Sequence, residues 1–156
     1  GWAVPPTLIK AQGPVEPRRV LSAETSEAMR RLLRLNVLQG TGTLAGAPGF
    51  LVGGKTGTAE KAKNGRYQAD ALVSSFVGAF PMNDPRYVVL ALLDEPQGNE
   101  RTKGFATAGW TAAPVVSRVI SRIGPLLGVE PVDTISRTAQ QALFISLDGR
   151  TAGVAF

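Results

Sequence analysis

The chain has 156 residues, of which 44% are hydrophobic and 19% are charged, a composition typical of one ordinary globular domain. It contains neither cysteine nor histidine, which excludes disulfide frameworks, thiolate or imidazole metal sites and histidine-dependent catalytic triads. Its net charge of +5 is spread along the chain without a long run of like charges, so no nucleic-acid partner is indicated.

The first 20 residues contain four prolines and predict an extended segment with little regular structure of its own. Ser22 is then a suitable N-cap, and Glu24 in the first turn suits the positive end of a helix dipole. The apolar stripe that follows at helical spacing consists of Met29, Leu32, Leu33 and Val37. These features predict a helix from about Ser22 to Leu38, which Gly40 ends.

The densest cluster of positive charge, Arg30, Arg31 and Arg34, lies on this predicted helix close to Glu27. Arginines near an acidic residue at helical spacing are typical of a helix face that contacts solvent. We therefore interpret the cluster as a solvated face and not as a binding site for nucleic acid.

The segment between residues 40 and 57 holds seven glycines. Its first half, as far as Gly49, has the composition of a flexible loop, and Phe50-Leu51-Val52 predicts the start of a strand. Glycine within a strand lowers the stability of that strand and is usual where a ligand or a second backbone approaches closely. The glycines that follow, at 53, 54 and 57, make this strand a candidate for binding.

Residues 73–80 and 87–93 are rich in strand formers, and the segment 81–86 between them predicts a turn, so the two form an antiparallel hairpin. The adjacent carboxylates of Asp94 and Glu95 follow the second strand. Neighbours on a strand point to opposite faces, so we expect a structural role for this pair and not paired acid and base catalysis.

Residues 96–109 predict a polar loop, and a second helix follows from Thr111. Its apolar residues at helical spacing are Val115, Val116, Val119, Ile120 and Ile123. Gly124-Pro125 predicts its end. The order helix, three strands, helix predicts an α/β fold of the α+β type, with an antiparallel sheet backed by helices. In the tail from Glu130 to Phe156, residues 138–145 fit either a short helix or a strand.

Residues 49–56 match the phosphate-binding pattern G-x-x-x-x-G-K-[ST] at every defined position. A P-loop also requires a buried strand before its first glycine and a helix that starts at the lysine, because the phosphates bind at that helix's N-terminus. The residues before Gly49 are typical of a loop, and those after Lys55 carry no apolar stripe. Nucleotide binding is therefore the least favoured function.

The alternative places Lys55-Thr56-Gly57-Thr58 on the strand itself. There Gly57 lets a substrate lie close, the threonine hydroxyls bond a substrate carboxylate, and the lysine ammonium attracts it. An unpaired N–H at Thr58 is suited to donate to an oxyanion. Taken alone, however, the Lys-Thr-Gly tripeptide is explained better by a surface lysine beside a tight glycine turn than by a binding site.

The residues around this tetrapeptide resemble those of the penicillin-binding transpeptidases. Residues 53–61 resemble the third motif of that family, which carries Lys-Thr-Gly. Other matching stretches, in the family's order, are residues 20–33, 40–43, 74–81, 87–96 and 109–115. The resemblance spans about residues 5–125, is greatest for the monofunctional class B enzymes of cell division, and implies a partial transpeptidase domain over residues 1–128 with a tail over 129–156.

The resemblance also implies roles for the four residues of the strand. Lys55 and Thr58 are implied to be catalytic: Lys55 supports the hydrogen bonds around the nucleophile and the substrate carboxylate, and the Thr58 N–H forms half of an oxyanion hole. Thr56, Gly57 and Thr58 are implied to bind substrate, since the threonines hold the carboxylate and Gly57 provides clearance. No metal and no cofactor are implied.

The family also uses S-x-x-K for its serine nucleophile and lysine base, and an S-x-N motif for proton transfer. None of the eight serines in this chain is followed by lysine at the third position or by asparagine at the second. We therefore predict that this chain alone neither transpeptidates nor binds a β-lactam covalently. It is either the C-terminal piece of a longer transpeptidase, which the intact Lys-Thr-Gly favours, or an inert interaction or scaffold module.

For the parent protein, the resemblance implies a peptidoglycan D,D-transpeptidase that transfers an acyl group from a D-Ala-D-Ala stem peptide to the amine of another stem, through a serine ester. It implies β-lactams as ligands of the complete protein. The implied partners are the N-terminal half of the same domain and division proteins. The implied location is the inner membrane, with this domain on the periplasmic side.

Overall fold

The computed structural model describes residues 1–9, 13–63, 65–134 and 136. Three strands form an antiparallel sheet in the order β3, β4, β5, and two strands of two residues each form a separate pair, β1 with β2. In chain order the elements are β1 (Trp2–Ala3), β2 (Arg18–Arg19), α1 (Ala23–Gln39), β3 (Gly53–Lys63), β4 (Arg66–Phe80), β5 (Tyr87–Asp94) and α2 (Ala112–Leu126). Helices back an antiparallel sheet, so the predicted α+β class is confirmed.

Helix α1 begins and ends within a residue of the predicted positions. The Ser22 side chain accepts a hydrogen bond from the Thr25 N–H at 3.0 Å, as expected of an N-cap. At the other end the Gly40 N–H donates to the carbonyl of Asn36 at 2.9 Å. The chain then turns through a short 3₁₀ segment, Thr43–Ala45, before it reaches the sheet.

The side of α1 that is buried differs from the predicted one. Met29 and Leu32, expected in the core, are 45% and 55% exposed, whereas Arg34, expected in solvent, is 5% exposed. The Arg34 Nη1 donates to the carbonyl of Val52 at 2.8 Å, just before β3 begins. Burial lowers the pKa of this guanidinium. The prediction for Arg34 was therefore wrong, because a buried carbonyl at the sheet's edge needs a donor from the helix.

The bounds of β3 and β4 also differ from those predicted. Residues 50–52 are buried but turn instead of joining the strand, and the Phe50 N–H donates to the Ala47 carbonyl at 3.0 Å. Strand β4 begins at Arg66, so β3 and β4 form a long hairpin whose register shifts between Glu60 and Lys61. The hairpin of β4 and β5 follows the prediction closely.

One face of the sheet packs on α2 and forms the core, which includes Phe76 and Phe80 of β4 with Val116 and Ile120 of α2. The opposite face is apolar, and α1 covers it only at the Ala79 end, where Leu33 belongs to the same apolar cluster. Its exposed members, 45–71% accessible, are Val77, Val88, Leu90 and Leu92. No strand among the described residues pairs with the outer edge of β5.

Helix α2 continues through Gly124 and Pro125, where its end was predicted. A proline in the last turn removes only one backbone donor, so the helix tolerates it there. The chain leaves the helix at Gly128, which has a φ of 68°, and the Val129 N–H donates back to the Gly124 carbonyl at 3.0 Å. The prediction for residues 138–145 lies outside the described residues, and the division between 128 and 129 stays a prediction.

Candidate active site

The tetrapeptide Lys55-Thr56-Gly57-Thr58 lies in the first half of β3, which is an edge strand of the sheet. No helix starts at Lys55, and strand pairing continues from Gly53 to Lys63. The phosphate-binding interpretation is therefore wrong, because the helix N-terminus that holds the phosphates in a P-loop has no counterpart here.

A cleft of about 500 Å³ opens beside this strand. Thr56 and Thr58 line it from β3, and the segment after α1 lines the facing side. A third wall comes from the loop before α2. The residues that these two segments contribute are Gly40, Thr41, Thr43, Leu44, Thr107, Gly109 and Trp110. The lining of the cleft is thus rich in hydroxyl groups and includes one large aromatic residue, Trp110.

A chain of polar contacts connects Lys55 to helix α1. The Lys55 Nζ lies 2.9 Å from the Thr56 carbonyl and 3.2 Å from the Thr56 Oγ1. The Thr56 Oγ1 lies 2.9 Å from the Thr41 Oγ1, which donates to the Asn36 Oδ1 at 3.2 Å. Thr41 has one hydroxyl proton and uses it in the hydrogen bond to Asn36. In the Thr41–Thr56 contact, Thr56 is therefore the donor, and it accepts from Lys55.

The Thr58 hydroxyl has a different arrangement. Its Oγ1 accepts a hydrogen bond from the Ala108 N–H at 3.1 Å, in the loop before α2. A hydroxyl that accepts from the protein still has its own proton to give. Thr58 is exposed and lines the cleft, so its hydroxyl is able to donate to a ligand there.

The backbone of β3 also presents a donor at the open edge. In an antiparallel strand, alternate residues direct their N–H and C=O groups to the same side. The Gly54 carbonyl accepts from Asn36 Nδ2 of α1 at 2.8 Å, and the Thr56 carbonyl accepts from Lys55 Nζ, so both face away from β4. The register is regular over these residues, so the Thr58 N–H faces the open edge as well.

Gly57 lies on the other face of the strand, paired with Ser75 of β4. A Cβ at this position would lie 2.7 Å from the Ser75 Oγ, which itself donates to the Gly57 carbonyl at 3.2 Å. The Ser75 carbonyl lies 4.0 Å from the same position, so the β4 backbone leaves room for a Cβ and only the Ser75 hydroxyl would have to move. The predicted clearance for a substrate at Gly57 stays a prediction.

The carboxylates of Asp94 and Glu95 both contact one lysine. The Lys61 Nζ lies 3.0 Å from Asp94 and 2.7 Å from Glu95. Glu95 reaches it because its backbone is left-handed, with a φ of 48°, just beyond the end of β5. The hydrogen bonds that the Lys61 ammonium donates, first to Glu95 and then to Asp94, raise the pKa of Lys61. The pair therefore links the β3–β4 hairpin to the end of β5, which is a structural role, but the two carboxylates converge on Lys61 instead of pointing to opposite faces, because Glu95 lies beyond the strand.

The sequence-based prediction of site residues omitted most of the cleft. Thr41 and Trp110 belong to stretches that carried the family resemblance and Ala108 directly precedes one, but nothing in their spacing indicated contact with residues 55–58. Trp110 is stacked on Phe105, with ring centroids 5.4 Å apart. Long-range packing of two loops against one strand creates these contacts, and a local pattern does not reveal such packing.

No serine among the described residues lines the cleft. Ser74 is buried and donates to the Ala106 carbonyl at 2.8 Å, which leaves it no access to the cleft. Within the described part of the chain, no group of three or more acidic residues could hold a metal ion. Nor does any helix there have the length and apolar character to cross a bilayer. The described lining can therefore donate hydrogen bonds to an anionic ligand.

Comparison with known proteins places this geometry in context. Residues 1–120 match the penicillin binding protein transpeptidase domain. The chain is 49% identical over 137 residues to a probable peptidoglycan D,D-transpeptidase FtsI of Caulobacter vibrioides, an alignment that covers 81% of the chain. It spans only 23% of that relative's length.

Solved structures agree with this similarity. The transpeptidase domain of penicillin-binding protein 3 from Burkholderia pseudomallei superposes with a TM-score of 0.66 at 36% identity, over 79% of this chain and 36% of that one. Penicillin-binding protein 3 from Mycobacterium tuberculosis, solved in complex with ampicillin, gives a TM-score of 0.64 at 30% identity, over 78% of this chain and 28% of that one.

Proposed function

Since the chain belongs to the penicillin-binding protein transpeptidase domain family, we propose that it forms one wall of the active site of a peptidoglycan D,D-transpeptidase. The observation that carries this proposal is the edge strand β3, whose Thr56 and Thr58 line the cleft while the Thr58 N–H faces its open edge. The reaction is transfer of the acyl group of a D-Ala-D-Ala stem peptide to the amine of a second stem peptide. A serine ester is its intermediate.

In this proposal the terminal carboxylate of the stem peptide binds at the hydroxyls of Thr56 and Thr58. The two are not equivalent. The Thr58 proton is free, because its Oγ1 only accepts from Ala108, whereas the Thr56 proton is engaged with Thr41. Thr58 therefore makes the first contact with the carboxylate, and Thr56 joins after its hydroxyl rotates away from Thr41. The Lys55 ammonium beside Thr56 supplies the positive field.

The Thr58 N–H donates to the oxygen that becomes negative when the serine attacks the scissile carbonyl. A donor fixed in a strand needs no reorganisation during the reaction, which is why such donors lower the barrier effectively. Lys55, which already donates to the Thr56 carbonyl, supports the hydrogen bonds around the nucleophile.

The nucleophile comes from an N-terminal portion of the same domain, since no serine of this chain has the S-x-x-K pattern and no described serine lines the cleft. The uncovered apolar face of β4 and β5, and the unpaired outer edge of β5, are where that portion packs. The complete protein is anchored in the inner membrane with this domain in the periplasm. It binds β-lactams and acts in septal wall synthesis together with division proteins.

Labelling with a fluorescent penicillin tests this assignment. We expect the complete domain to be labelled at a serine outside this chain, and we expect the isolated 156-residue chain to remain unlabelled. Peptide mapping of the labelled protein locates the modified serine. Heat-denatured complete domain is the control, because labelling that depends on the folded site disappears on denaturation.

Two outcomes would contradict the proposal. A label on any serine of this chain would show that the nucleophile lies within it. A complete domain that folds but takes no label would favour the inert interaction module, in which the Lys-Thr-Gly strand is kept without acyl transfer.

A further inference from the structure

A second cavity, of about 460 Å³, adjoins the proposed active-site cleft. The two share Leu44 and Trp110, so the Trp110 ring lies at their common border. The second cavity extends from that border between the loop after β5 and helix α2. Its other lining residues are Leu93, Pro96, Gln97, Asn99, Arg101, Thr102, Thr111, Pro114 and Arg118.

The charge of this lining has one sign only. Arg101 and Arg118 are its two charged lining residues, and no described aspartate or glutamate lines the cavity. Neither arginine has an ion pair with any described residue. The nearby carboxylates of Asp94 and Glu95 are already held by Lys61.

Both arginines belong to regular backbone elements. Arg118 belongs to α2 and lies one helical turn after Pro114, which lines the same cavity. Arg101 belongs to a short 3₁₀ turn, Glu100–Thr102, whose capping box is formed by Asn99. The Asn99 Oδ1 accepts from the Arg101 N–H at 2.9 Å, and the Thr102 Oγ1 accepts from the Asn99 N–H at 2.8 Å.

These features match one class of ligand. A guanidinium binds a carboxylate through two parallel N–H groups, and two such groups on fixed backbone favour an anion over a neutral group. The remaining walls, Leu93, Pro96 and Pro114, suit an aliphatic stem that carries the anion.

We propose that this cavity is an accessory subsite that binds a second carboxylate of the peptide substrate, distant from the terminal carboxylate at Thr56 and Thr58. The inference rests on the proposed function, because the peptide reaches the cavity from the adjoining cleft. Trp110 then separates the subsite from the reacting end of the peptide.

The test uses the complete domain and two peptides that end in D-Ala-D-Ala. One carries a side-chain carboxylate upstream, and in the other that carboxylate is replaced by its amide. We expect the wild-type protein to prefer the carboxylate peptide about fivefold in kcat/KM, the size of an exposed charge pair. The double variant Arg101→Gln and Arg118→Gln abolishes this preference. The matched control is Arg122→Gln, which lies one turn further along α2 outside the cavity and keeps the preference.

Three outcomes separate the possibilities. Loss of the preference in the double variant but not in the control supports the subsite. A wild-type protein that a fluorescent penicillin labels but that does not distinguish the two peptides overturns the subsite alone, as does a double variant that still distinguishes them. A wild-type complete domain that takes no penicillin label overturns the proposed function, and the subsite with it.

Discussion

The two edges of the three-stranded sheet contrast sharply. At the β3 edge, Asn36, Thr41 and Ala108 make hydrogen bonds to residues 54–58, so backbone and side chains already have partners from two loops and a helix. At the β5 edge no described strand pairs, and the adjoining face exposes apolar side chains. The β3 edge therefore has the character of a binding-site wall, whereas the β5 edge and its adjoining face have the character of an uncovered interface. In our proposal, the portion of the domain that carries the reacting serine packs at the β5 edge.

The largest expected effect comes from placing a polar group at the uncovered face. Leu90 is 60% exposed in this chain, and in our proposal the N-terminal portion of the domain buries it. Leu90→Gln should therefore lower the free energy of unfolding of the complete domain by about 2–3 kcal/mol, because the amide loses water without gaining a partner. Chemical denaturation of the complete domain measures this change.

Leu126→Gln is the matched control for this variant. Leu126 is 84% exposed at the end of α2, away from the sheet's uncovered face, and its replacement should change stability by less than about 0.5 kcal/mol. Equal effects of the two variants would show that the face of β4 and β5 is not covered in the complete domain.

The next largest effect concerns the β3 edge. Thr58→Val in the complete domain removes the hydroxyl that we assign to the substrate carboxylate but keeps the backbone N–H. It should slow acylation by penicillin about 10- to 100-fold, as expected for the loss of one hydrogen bond to a charged group. Stopped-flow or gel-based labelling rates measure it.

Thr58→Ser, which retains a hydroxyl, separates this role from a purely structural one. The Ala108 N–H is bonded to the Thr58 Oγ1 and Ala108 is fully buried, so Thr58→Val also costs stability, whereas serine restores both the bond and the donor. If Thr58→Val lowered the melting temperature but left the acylation rate unchanged, Thr58 would be a structural residue of the loop and not a carboxylate ligand.

Much of this architecture could be predicted from local sequence. Ser22 and Gly40 marked the ends of α1, and the glycines of β3 marked a strand that another group approaches closely. What could not be predicted depends on contacts between distant residues. Arg34 is buried because the Val52 carbonyl needs a donor, and Trp110 lines the cleft because the loop before α2 folds onto β3. Neither contact leaves a periodic signal in the chain.

The same distinction applies to the candidate site. The tetrapeptide on β3 was identified from its residue types and from its neighbours in sequence, and Thr56 and Thr58 do line a cleft. The inequality between the two hydroxyls was not predictable. It arises because the Thr56 hydroxyl donates a hydrogen bond to Thr41, whereas the Thr58 hydroxyl only accepts one from the Ala108 N–H.

The smallest effect concerns the ion pairs that connect the two regions. Lys61 belongs to β3, yet its Nζ contacts Asp94 and Glu95 at the end of β5. The folded-state pKa of Lys61 is raised above its usual value of 10.5 by these hydrogen bonds, so their contribution to stability is fully present below that value. It is lost as the pH rises through the folded-state pKa. We therefore expect the melting temperature to fall above about pH 10, with Lys61→Met showing a smaller fall over the same range.

The double variant Asp94→Asn and Glu95→Gln is the matched control, because it keeps the lysine but removes the charges that raise its pKa. It should show the same reduced alkaline fall as Lys61→Met, since either change leaves no ion pair to lose. The pairs are exposed, so the difference from wild type is small and diminishes as salt is added. If the alkaline fall were the same in all three proteins, the two edges would be joined by the β4 ladder alone, and Lys61 would contribute nothing to holding the hairpin beside the cleft.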